Sequence, residues 1–130
     1  MTTPFWCLLV VVLIPYVLAG FGGYYRGKEF GDADNRNPRA QAARLQGTGA
    51  RAYAAQANAW EATTVFTAAV VVTHLAGVPE SSAAPWTLAF VAARVLHPIF
   101  YILDQDKLRS LSFLAGFVCV IALFVQAARA

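Results

Sequence analysis

A chain of 130 residues that is 58% hydrophobic and only 13% charged, with a mean hydropathy of +0.53, is too apolar for an ordinary soluble domain and too short for two. Ten Lys and Arg against seven Asp and Glu give a formal charge of +3. The basic residues cluster between apolar stretches, a pattern that membrane topology accounts for and that offers no nucleic-acid-binding surface.

Four apolar stretches run at roughly Phe5–Tyr25, Ala52–Ala76, Pro85–Leu103 and Leu111–Ala128. Each is near the ~20 residues that an α-helix needs to cross ~30 Å of hydrocarbon. Backbone groups in lipid must pair within their own segment, and runs such as "LLVVVLI" lack the alternation of a barrel strand. The expected fold is all-α and integral to the lipid bilayer: one domain over residues 1–130, built as a bundle of four transmembrane helices. The first stretch reads as a retained helix, since "MTTPFW" has no positive charge and the apolar run is long for a signal sequence.

Arg26, Lys28, Arg36, Arg39, Arg44 and Arg51 lie between the first and second stretches, and Lys107 and Arg109 between the third and fourth. The connection "GVPESSAA" and the N-terminal tail carry none. The positive-inside rule then places both termini outside and both basic loops in the cytoplasm, with Arg129 the only contrary charge. In the first loop, Asn37 followed by Pro38 has the form of an N-cap and first helical residue, so a short helix is expected there before Gly47 and Gly49 interrupt it. Cys7 and Cys119 are expected at different depths, as unbridged small apolar residues.

The second and third stretches carry polar residues to unusual depth. On straight helices counted from the basic end, Asn58 lies ~10 Å and Glu61 ~15 Å in, and on the antiparallel third helix His97 lies ~9 Å and Arg94 ~14 Å in. Arg94, His97 and Tyr101 stand at i, i+3 and i+7 and share one face, as do Asn58 and Glu61. Charges at such depth are paired or functional and face the bundle interior. Glu61 and Arg94 are therefore expected as an ion pair, in a network that either only joins helices or also lines a ligand pocket. Pro98 removes the donor for the Arg94 carbonyl and opens the third helix beside that stripe. Ala55, Ala59, Thr63 and Thr67 form a stripe of small residues suited to close packing, either within the chain or between subunits. His74 and His97 lie on different helices at different depths, so no metal site is expected.

The segments "NPRAQAARLQGTGARAYAAQANAWE" and "ARVLHPIFYILDQDKLRSLSFLAGFVCVIALF" together resemble the bacterial branch of the MAPEG family, the membrane-associated proteins in eicosanoid and glutathione metabolism. The resemblance implies a homotrimer in the bacterial inner membrane, with glutathione as co-substrate bound between subunits and a lipophilic substrate arriving from the bilayer. By position it implies that Asn58 and Glu61 hold the peptide's backbone and amino group. Arg94, His97 and Tyr101 match the family's polar stripe, and Arg109 with Ser110 falls where the thiol-activating arginine and its neighbour lie. A guanidinium beside a thiol favours the nucleophilic thiolate. Ala54 stands where catalytic members often have arginine, with Arg51 one turn earlier either its substitute or only a topology charge, and Phe113 stands about where some have tyrosine. The family also includes non-catalytic members. Two functions therefore follow: a glutathione-dependent transferase or peroxidase acting on lipophilic electrophiles or lipid hydroperoxides, or a non-catalytic trimer that binds lipid or scaffolds a membrane complex.

Overall fold

A computed structural model describes residues 1–130 and is 84% helical, without strands. The helices are α1 (Thr3–Phe30), α2 (Pro38–Ala42), α3 (Gly47–Leu75), α4 (Glu80–Ile102) and α5 (Asp106–Arg129). Three of them, α1, α4 and α5, are long and apolar enough to cross a membrane. The longest, α3 at 29 residues, is diluted by Asn58, Glu61 and a series of threonines. It starts at Gly47, so Gly47 and Gly49 open this helix and do not break the one before it. The short helix in the loop starts at Pro38 as expected and stops at Ala43.

Helix ends follow from local chemistry. Past α3, the Val78 N–H reaches the Thr73 carbonyl and the Gly77 N–H that of His74, with Gly77 at φ +76°. That is the six-to-one and five-to-two pairing that ends helices on a left-handed residue. The same pairing ends α4, where Gln105 bonds to Phe100 and Asp104 to Tyr101. There the left-handed residue is Asp104, at φ 60°, an unusual position for a residue with a side chain. Arg51 holds this turn, donating from Nε to the Ile102 carbonyl at 3.2 Å and lying 3.5 Å from the Asp104 carboxylate.

Contacts along the chain fix the arrangement. Phe5 meets His74, Tyr16 meets Trp60 and Gly22 meets Tyr53, so α1 and α3 run antiparallel. Phe90 stacks on Phe66 at 4.0 Å, and Tyr101 lies against Arg109 while Ser82 accepts from Gln126, which sets α4 antiparallel to both α3 and α5. Both α1 and α5 pack on α3 and α4 but not on each other. Cys7 and Cys119 are free and belong to one buried apolar cluster with Phe66, Ala69 and Val70. The expectation that depth separates them is therefore corrected: they share a level, and what parts them is their position on helices that do not meet.

The small stripe on α3 is consumed within the chain. Ala55 and Ala59 pack against Leu18 of α1. Thr63 donates to the Ala59 carbonyl at 2.8 Å and also lies 3.4 Å from the Val11 carbonyl. Pro15 has no N–H to offer that carbonyl, so the threonine serves a backbone group freed by the proline. Farther along, Gly22 is needed because a Cβ there would lie 2.7 Å from the Tyr53 ring. Gly22→Ala is expected to lower stability by about 1–3 kcal/mol, read as thermal unfolding in detergent, whereas Gly20→Ala, which meets nothing within 4 Å, is tolerated. In a Tyr53→Ala background the Gly22→Ala penalty largely disappears.

Between α1 and α3 the loop is folded by Arg26, which is buried at 8% exposure and donates to the Asp34 carbonyl at 2.9 Å and to Gln41 Oε1 at 3.3 Å. Gln41 Oε1 also accepts from the Asp34 N–H at 2.9 Å, and Gln41 Nε2 donates to the Asp32 carbonyl at 2.8 Å. The Asp34 carboxylate accepts the N–H groups of Asn37 (3.1 Å) and Arg36 (2.8 Å), and these bonds hold its pKa below the ordinary carboxylate range. Because the folded pKa is depressed, the stabilisation is present above the unfolded value of about 3.9 and is lost as pH falls through the lower folded value. Amide exchange at Arg36 and Asn37, corrected for intrinsic rate, is expected to accelerate only on acidification into that window, and to be fast at every pH in Asp34→Ala.

Candidate functional site

The polar face of α4 meets that of α3 where α5 closes the third side. Arg94 is 5% exposed. Its Nη2 donates to both the backbone carbonyl (3.2 Å) and the side-chain Oδ1 of Asn58. Asn58 Nδ2 in turn donates to Glu61 Oε2 at 3.3 Å. The expected direct ion pair is thus corrected: the amide stands between the two charges, and the only side-chain ion pair in the molecule joins Arg51 to Asp104. Asn58 wins the contact because it lies one turn nearer the basic end, where its backbone carbonyl and side chain both face α4. Glu61, by contrast, turns to the exposed side of α3.

On α5, Gly116 makes room for the guanidinium stem, since a Cβ there would lie 3.3 Å from Arg94 Cδ and 3.6 Å from Phe90. Nothing in the sequence pattern singled out this glycine; its role needs the facing residue to be known. Asn58, Glu61 and Arg94 form the polar wall of a cavity of about 290 Å³ whose other walls include Phe90, Phe113 and Phe117.

From Phe113 an aromatic ladder runs toward the basic end. His97, 3% exposed, lies 6.4 Å from the Phe113 ring and edge-on to Tyr101 at 5.7 Å. Arg109 caps the ladder, its guanidinium 4.5 Å above the Tyr101 ring, a cation–π contact at the bundle mouth. The structure therefore brings Asn58, Glu61 and Arg94 into one cavity and stacks His97, Tyr101 and Arg109 beside it. Two other expected site residues are elsewhere. Arg51 is held at the end of α4, with its Nη2 on Thr48 Oγ1 at 3.2 Å. Ser110 is exposed and donates back to the Asp106 carbonyl at 2.9 Å. No group of three or more His, Cys, Asp or Glu side chains gathers at metal-binding range.

Apolar membrane-crossing helices around a buried guanidinium, with a half-buried amide and an exposed carboxylate beside it, define an integral membrane protein with a polar cluster at an apolar cavity. The MAPEG family model matches residues 3–129, nearly the whole chain, and the protein belongs to that family. Comparison with curated proteins and with solved structures yields no match.

Truncating Asn58 removes the only side-chain acceptor of Arg94 and leaves it the residue-58 carbonyl alone. Asn58→Ala is expected to destabilise by about 1–3 kcal/mol, and a double-mutant cycle in detergent is expected to give a strong Arg94–Asn58 coupling. The Arg94–Glu61 coupling in the same assay is smaller, and the part relayed through the amide is lost in the Asn58→Ala background.

Proposed function

We propose that the protein is a homotrimer of four-span subunits that binds glutathione and transfers it to lipophilic electrophiles, or uses it to reduce lipid hydroperoxides. The observation that carries this reading is the cavity at Arg94, in which a guanidinium, an amide and a carboxylate face aromatic walls within the bundle. Such a site suits a ligand with both charged ends and a reactive centre that must meet an apolar partner. Arginine forks suit carboxylates, and Glu61 retains an oxygen for an ammonium group. Counting α3 as a fourth span leaves Glu61 exposed at ~15 Å depth, where a carboxylate facing hydrocarbon is costly. A neighbouring copy covering that face removes the penalty, which supports the oligomer. The positive-inside rule supports a cytoplasmic basic end in a bacterial inner membrane, the side on which a soluble thiol would enter.

Arg109 is the residue assigned to thiol ionisation. Stacking on Tyr101 fixes its guanidinium at the mouth, and a nearby positive charge lowers a thiol pKa. The alternative, a non-catalytic lipid-binding or scaffolding trimer, draws support from two facts. Arg94 already has acceptors in Asn58, and the ladder ends on Phe113, not on a tyrosine.

Calorimetric titration of the protein in detergent with glutathione is expected to show saturable binding, with an ultraviolet thiolate signal near neutral pH. Arg109→Ala is expected to raise the bound thiol's pKa and to slow transfer to a chloronitrobenzene acceptor while the oligomer persists; Arg109→Lys recovers only part of the loss. Absence of a thiolate signal in the unmutated protein at several millimolar glutathione would overturn the enzyme reading in favour of the lipid-binding trimer.

A further inference from the structure

A second concavity lies on the other side of α4 and shares no lining residue with the Arg94 cavity. Val10, Leu13, Val17 and Phe21 on α1 face Val95 and Ile99 on α4 across a groove of about 390 Å³, and buried Leu18 and Pro98 also line it. From Val10 to Phe21 the groove runs ~16 Å along the helix axis. That length matches one leaflet's share, ~15 Å, of a ~30 Å hydrocarbon core. On α1 it reaches past mid-span at Val10, and on α4 its lining, Val95, Pro98, Ile99 and Ile102, lies toward the basic end. There it continues into a second depression that shares Val17 and Phe21 and adds Gly20, Tyr24 and Tyr25. Gly20 leaves that wall open, since a Cβ there would touch nothing within 4 Å.

A cation stands beyond the groove's basic end, lining with Tyr25 a further depression toward the start of α3. Lys28 lies seven residues beyond Phe21, two turns on and on the same face of α1. It is exposed and has no ion-pair partner. Its neighbour Glu29 is directed instead to the Gln46 N–H at the start of α3. Tyr24 and Tyr25, edge to face at 5.3 Å, stand between the apolar track and this cation, as aromatic residues do at headgroup level. A second copy of the chain is a poorer occupant. The stripe of small residues that permits close helix approach is already buried against α1, and this groove is lined by bulky aliphatic side chains.

We propose that the α1–α4 groove holds one acyl chain of an anionic phospholipid, with the headgroup at Lys28. Lys28 supplies the preference for negative charge, and the aliphatic walls supply an apolar seat for one chain of the leaflet on the basic side. The site is independent of glutathione binding.

Native mass spectrometry of the detergent-solubilised protein, titrated with phosphatidylglycerol or with phosphatidylcholine of the same acyl chains, tests this. The unmutated protein is expected to retain one phosphatidylglycerol per chain under activation that strips phosphatidylcholine. Lys28→Gln, at an exposed position, is expected to reduce that preference roughly fivefold. Val17→Trp, placed on an exposed part of the groove wall, is expected to fill the track and abolish retention, whereas Leu111→Trp on the exposed face of α5 leaves it unchanged. Equal retention of the two lipids by the unmutated protein, or unaltered retention in Val17→Trp, would overturn the proposal. So would loss of the oligomer in Val17→Trp with the lipid count unchanged, which would make the groove a subunit interface.

Discussion

The structure is organised around one buried guanidinium. Arg94 lies in the middle of an apolar bundle, and a charge left without partners in such a setting costs several kcal/mol. Its solution draws on three helices. The donor comes from α4, two oxygens of Asn58 come from α3, and α5 contributes the absence of a side chain at Gly116. Sliding any of these helices by one residue would break the hydrogen bonds or drive a Cβ into the guanidinium stem. The polar contact therefore sets the register that stacking of Phe66 on Phe90 could set only loosely, because apolar packing is non-directional.

The fourth long helix, α1, is fixed by a different device. Its contacts with α3 rely on close approach, with Gly22 under Tyr53 and Ala55 and Ala59 against Leu18. Pro15 frees a carbonyl in the middle of this helix, and Thr63 lies where it can share its hydroxyl hydrogen with it. The opposite margin of α1, toward α4, has no such stripe of small residues. The two helices there are spaced by bulky aliphatic side chains, and a groove remains along the bundle surface.

These two halves explain how a single small chain presents two distinct environments to the membrane. On the α3–α4–α5 side, polar groups stand in an aromatic frame, and the ladder from Phe113 through His97 and Tyr101 leads to a cation at the basic end. On the α1–α4 side, the surface is uniformly apolar until the tyrosines and Lys28. A family resemblance bears on the first side only through residues that the fold actually gathers. Of those expected, Arg51 is engaged at the end of α4 and Ser110 bonds back within α5, and only Asn58, Glu61 and Arg94 among them line the cavity itself.

Helical class, membrane setting, the ends of the apolar stretches within several residues and the polar level shared by Asn58, Glu61, Arg94 and His97 were legible in the sequence. Hydrophobic length and helical rise depend only on local composition and backbone geometry. The start of the loop helix at Pro38 was legible for the same reason. What the sequence could not reveal depends on lateral position, which depth and periodicity do not encode. Cys7 and Cys119 join one apolar cluster because α1 and α5 pack on the same two helices, α3 and α4, an arrangement that only tertiary contacts determine. Asn58 displaced Glu61 as the partner of Arg94 because a rotation of a few tens of degrees about α3 decides which of two residues one turn apart faces α4. Arg26 looked like one more topology charge, yet the fold buries it as the clasp of the first loop. Gly116 became meaningful only once Arg94 lay across it. Local chemistry wrote the helices and their polar level; the order in which the helices surround one another, and hence which side chains meet, was decided by tertiary packing, where contacts far apart in sequence compete for the same space.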